Sequence, residues 1–132
     1  MPAKIVLFGL DDSLAGELRR VLVSQNQTVL SEAFLSPREC LSFVQRVGAE
    51  LVFCASHPIR CPALLEAVRR HKPDLPVVVV SRVPEVSEWL DAIEAGASDY
   101  CAAPFESAHI QWILDSALKH RSTATPLYRA AS

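Results

Sequence analysis

The run Leu75-Pro76-Val77-Val78-Val79-Val80-Ser81 constrains the fold more than any other stretch. Valine is stiff at its first side-chain torsion and favours extended backbone. An unbroken apolar run, rather than an alternating one, belongs to a strand covered on both faces. Ser81 ends the run where a parallel sheet places its functional residues, at the carboxyl edge. The rest of the chain reads as material wrapped around this strand.

Lys4–Phe8 is a first apolar strand, closed by Gly9-Leu10-Asp11-Asp12-Ser13. Asp11, Asp12 or Ser13 can cap the helix that follows, in which Leu14, Leu18, Val21 and Leu22 keep helical spacing. Residues 28–35 form a more polar second strand, nearer an edge. Ser36-Pro37-Arg38-Glu39 is a helix start: a capping serine, a proline at the first helical position and a glutamate placed for a capping box. Leu41, Phe43, Val44 and Val47 make its apolar side, and Gly48 stops it. A third strand spans residues 50–54. Pro62 opens a third helix carrying Leu64, Leu65 and Val68. Pro84 opens a fourth, with Leu90 and Ile93 turned inward and Gly96 at its end. A short fifth strand covers residues 98–102, and a last helix carries Ile110, Leu114 and Leu118. Strands joined through helices run parallel, and right-handed crossovers put helices on both faces. The pattern predicts an α/β fold: a three-layer, doubly wound, five-stranded parallel sheet in the flavodoxin-like order 2-1-3-4-5. Residues 1–120 make the domain, and residues 121–132 a mobile tail.

Half of the 132 residues are apolar, enough for a real core, and the formal net charge is -2. That balance argues against nucleic acid and anionic membrane as partners. No apolar run is long enough to span a bilayer, and the residues after Met1 carry no secretory or transit pattern, so a cytoplasmic location is expected. Cys40, Cys54, Cys61 and Cys101 form no tight pairing motif and read as buried free thiols. No glycine-rich phosphate loop is present.

Three segments together resemble the receiver domain of response regulators, the CheY-like signalling module of bacterial two-component systems, over residues 4–120. They are the stretch from Asp74 to Ser81, the stretch Ala92-Ile93-Glu94-Ala95-Gly96-Ala97-Ser98-Asp99-Tyr100, and Ala103-Pro104-Phe105. Ser36-Pro37-Arg38-Glu39 is similar to the family's second helix start. The resemblance implies an aspartate at the end of strand three that takes a phosphoryl group, and two acidic residues after strand one that hold Mg²⁺. It further implies a lysine before a turn proline whose peptide is cis, and a Ser/Thr and an aromatic that respond to the phosphoryl group.

This chain departs from that set. Ala55 falls on the phosphoacceptor position and Ala103 on the lysine position, and Gly9 and Leu10 fall on the acidic pair. A methyl group cannot accept phosphate, so no Mg²⁺-dependent catalysis and no cofactor are expected. Asp11 and Asp12 are either a displaced acidic pair or helix caps. Ser81 and Tyr100 match the switch pair. They are either its remnants or a serine bonded to local backbone beside a tyrosine filling the cleft.

The implied function is a pseudo-receiver, not an enzyme, acting through protein–protein interaction. A histidine kinase, an output protein or a second copy would be its partner. Trp89 and Trp112 are the candidate interface residues, because the expected core stripes turn both aside; the other reading folds each flat over its own helix. Two alternatives remain: a residual Mg²⁺-dependent phosphoacceptor, and a thiol redox sensor built on Cys54, with His57, Cys61 and Cys101 nearby. The Cys and His spacing fits no common zinc module.

Overall fold

The computed structural model describes residues 3–31, 34 and 36–123. Ten elements alternate: β1 (Lys4–Phe8), α1 (Asp12–Ser24), β2 (Thr28–Ser31), α2 (Pro37–Val47), β3 (Leu51–Ala55), α3 (Arg60–His71), β4 (Val77–Ser81), α4 (Val86–Glu94), β5 (Asp99–Ala102) and α5 (Ser107–Thr123). The strands make one parallel sheet in the order β2-β1-β3-β4-β5, as the sequence pattern predicts. The strand β4 is buried throughout, with β3 and β5 on either side.

Side chains alternate across the pleat and split the core in two. Val6, Phe8, Val52, Cys54, Val77, Val79 and Tyr100 face one side, against Cys40, Phe43 and Val44 of α2, Cys61, Leu64, Leu65 and Val68 of α3, and Ala92 of α4. Ile5, Leu7, Leu51, Phe53, Val78, Val80 and Cys101 face the other, against Leu14, Leu18 and Leu22 of α1 and Ile110, Ile113 and Leu114 of α5. Fully burying such aliphatic side chains contributes roughly 1.5–3 kcal/mol each.

Local signals act where expected. Ser36 Oγ accepts from Glu39 N at 3.2 Å, Pro37 opens α2, and Gly48 closes it at φ 73°. Left-handed backbone of that kind carries no Cβ penalty only in glycine.

Several boundaries differ from the pattern. Within residues 28–35, the second strand is Thr28–Ser31, and residues 32, 33 and 35 lie outside the described set. The helix α3 starts at Arg60, two residues before Pro62, and α4 starts at Val86, two after Pro84. The expected inward stripe of α4 is a correction: Leu90 and Ile93 are 50% and 41% exposed, and the helix buries only Ala92. The helix α5 runs to Thr123, past the expected start of the tail at residue 121; residues 124–132 lie outside the described set. No helix among the described residues is long and apolar enough to cross a membrane.

Candidate functional site

The carboxyl ends of β1, β3, β4 and β5 meet at one edge of the sheet. Ala55 is the last residue of β3, and Gly9 follows β1 at φ 80°. A Cβ built on Gly9 would meet Ala55 Cβ at 3.6 Å, so the Ala55 methyl lies beside the bare Gly9 backbone at this edge. The edge is closed by backbone bonds from Ser56 N to Val80 O at 2.7 Å and from Ala103 N to Ser81 O at 3.0 Å. The Ala103–Pro104 peptide is cis.

Asp11 is the N-cap of α1. Its Oδ1 accepts from Leu14 N at 2.9 Å, and its Oδ2 pairs with the Arg82 guanidinium in the loop after β4. The Leu14 N–H first, then Arg82, hold the Asp11 carboxyl below the ordinary carboxylate range. Asp12 occupies the exposed first turn of the same helix. The Arg82 pairing escapes any motif search, because the two residues are 71 positions apart.

Ser81 Oγ donates to Val83 O at 2.8 Å and accepts from Val83 N at 3.4 Å, and Ser81 is also a side-chain neighbour of the Tyr100 hydroxyl, on which it acts to lower the phenol pKa. Tyr100 is 9% exposed. Its hydroxyl donates to Glu88 Oε1 of α4 at 3.1 Å and accepts from Glu85 N at 3.4 Å. Burial first, with Glu88 adding to it, pushes the Tyr100 phenol up.

This contact orients α4. Glu88 and Ala92 lie on the inner side of the helix, over Tyr100. Val86, Trp89, Leu90 and Ile93, at i, i+3, i+4 and i+7, are all exposed on the other side. Trp89 is 45% exposed, and Trp112 on α5 is 60% exposed. The outward stripe was invisible to sequence reasoning, which identifies an apolar face but not the direction it points.

The thiols divide differently from the sequence expectation. Cys54, Cys61 and Cys40 share one core, whereas Cys101 sits in the core on the other side of the sheet. The Cys54 thiol donates to Ala55 O at 3.5 Å. His57 also has an unforeseen place. Its Nδ1 accepts from Ile59 N and Arg60 N, each at 3.1 Å, and so caps α3 where no conventional N-cap side chain does. Among the described residues, no group of three or more His, Cys, Asp or Glu side chains could hold a metal ion. A depression of about 720 Å³, lined in part by Pro73, Pro76, Gly96 and Ser98, opens at the opposite, amino-terminal edge of the sheet, away from Ala55.

No protein-family model matches the sequence, and no curated protein matches it. Solved structures do. A candidate response regulator from Chloroflexus aurantiacus is 26% identical over 90% of this chain and 99% of its own, with a TM-score of 0.78. The chemotaxis response regulator CheY4 of Vibrio cholerae is 17% identical, covering 89% and 100%, with a TM-score of 0.71. The beryllofluoride-activated NtrC4 receiver domain, solved as a dimer, is 15% identical, covering 89% and 98%, with a TM-score of 0.74. The structural neighbours are therefore receiver domains, and the fold is that of CheY-like receivers.

Proposed function

We propose that this chain is a pseudo-receiver: a cytoplasmic module of two-component signalling that takes no phosphoryl group and works by docking through α4 and the adjoining face of α5. The observation that carries this reading is the outward apolar stripe Val86-Trp89-Leu90-Ile93, in a helix that turns a glutamate and an alanine toward its own core. Most exposed apolar residues need no explanation, but a full helical stripe containing a tryptophan is the composition of an interface centre.

The other edge supports the same reading. A phosphoryl group needs a carboxylate to accept it, a divalent ion to neutralise charge on the transferring oxygens, and a cation to balance the product. Ala55 supplies no acceptor, Gly9 and Leu10 no ligands, and Ala103 no cation. Of the two carboxylates after β1, Asp11 has both oxygens engaged, by Leu14 N and Arg82, and Asp12 lies in the exposed first turn of α1. This donor set does not fit Mg²⁺.

The occupant we assign to the stripe is a second copy of the chain, a choice supported by the dimer in which the NtrC4 receiver was solved. Sedimentation velocity over a concentration series tests it. A reversible dimer is expected, and Trp89→Ala should remove an anchor worth about 2 kcal/mol, weakening the dimer Kd roughly thirty-fold. A chain that stays monomeric at every concentration overturns self-docking. One defined partner protein, captured by the wild type and lost with Trp89→Ala, would assign the face to that partner instead.

A further inference from the structure

We propose that the depression at the amino-terminal edge of the sheet is a binding site for a small organic cation, an amine carried on an apolar body. Its volume, about 720 Å³, lies in the range of pockets that enclose small-molecule ligands. It is framed by α3, the turn from α4 into β5, and α5. Its floor is apolar and set by the fold: Leu65, Val68, Leu75, Pro76 and Ile113 line it and are all buried. Leu65, Val68 and Leu75 belong to one core and Ile113 to the other, so both halves of the core hold the floor in place.

The rim has a negative bias. Asp74 stands exposed in the loop before β4, and Asp99, partly exposed, opens β5. Asp99 Oδ1 accepts from Tyr100 N at 2.8 Å, which fixes that carboxylate at the rim. Among the described lining residues Arg69 is the cation, and it pairs with Glu66, as Arg70 does. The helix α4 also ends here, with Ala95 and Gly96 in the lining. A helix C-terminus carries partial negative charge and is normally met by basic side chains. The last turn of α4 has no basic residue and carries Asp91 and Glu94 instead. Gly96 turns the chain at φ 109°, Ala97 N bonds Ala92 O at 3.0 Å, and Ser98 N bonds Val77 O at 2.8 Å. Those bonds hold the negative end of α4 against the depression.

The two parts together select the ligand. An anion would meet Asp74, Asp99 and the end of α4. A bare metal ion would meet an apolar floor, and among the described residues no group of three or more His, Cys, Asp or Glu side chains could hold one. An ammonium on a ring or a branched chain suits both parts: its body covers the floor, and its N–H groups donate to the rim carboxylates. Such a ligand touches the end of α4 and gives a chain without a phosphoryl acceptor another chemical input. The site stands whether or not α4 docks a second copy.

The test titrates the full ¹⁵N-labelled chain with phenethylamine and follows the backbone amide shifts. Two matched probes carry the same ring: phenethyl alcohol, which is neutral, and hydrocinnamate, which is anionic. Phenethylamine should give saturable shifts in the millimolar range, centred on Gly96, Ser98, Asp99 and Ser116. The alcohol should bind about five-fold more weakly, and the carboxylate should not bind. Asp99→Asn keeps the oxygen that accepts from Tyr100 N and removes the charge. It should weaken phenethylamine by about two- to five-fold and leave the alcohol unchanged. Ser116→Trp, at an exposed position on α5, should fill the depression and abolish the shifts. No saturable shifts, equal binding of amine and alcohol, or shifts centred on the Val86-Trp89-Leu90-Ile93 stripe would each overturn the proposal. The wild-type titrations decide on their own, so a variant that fails to fold does not shield it.

Discussion

Asp11 uses both carboxylate oxygens, one to cap α1 and one to meet Arg82. Its folded pKa lies below the ordinary 3.8, so its charge stabilises the fold fully above that value. The contribution is lost as pH falls through the folded pKa. Asp11→Asn keeps a capping oxygen and removes the charge. Urea unfolding should find the wild type more stable than Asp11→Asn at neutral pH, with the gap closing below pH 3.8. A gap that persists in acid would assign the effect to capping geometry alone. The cap was legible because an aspartate stands just before a helical apolar period. Arg82 was not, because nothing local links two loops that only the sheet brings together. Ala55 and Ala103 were legible through the motifs around them, and His57 was hidden because a histidine capping a helix from three residues upstream leaves no spacing to recognise.

At the scale of the element, α4 shows where periodicity stops informing. Its pattern marks one apolar stripe, and the natural expectation turns that stripe inward, with Leu90 and Ile93 in the core. The structure turns it outward because Tyr100 and Glu88 bond on the inner side and Ala92 is the side chain that fits there. In α3 the same period is read correctly, since Leu64, Leu65 and Val68 have the sheet beneath them. The two helices should therefore answer substitution differently. Leu64 is fully buried, and Leu64→Ala should cost about 2–5 kcal/mol. Leu90→Gln in dilute protein should change stability by no more than about 0.5 kcal/mol. Chemical denaturation of both variants checks this, and a large loss for Leu90→Gln would return that side chain to the core.

Over the whole molecule, the fold was the most legible part. Five strands separated by helices allow few parallel arrangements, and a valine strand buried on both faces must lie inside the sheet. Function was less legible, because a fold of this kind is a frame on which sites are placed. Here the frame keeps the receiver architecture, while the edge that would carry phosphate presents Ala55 against Gly9. Intact mass after incubation with acetyl phosphate and Mg²⁺ tests this most directly. The mass should be unchanged at every time point, whereas the stable addition of one phosphoryl group would contradict the account.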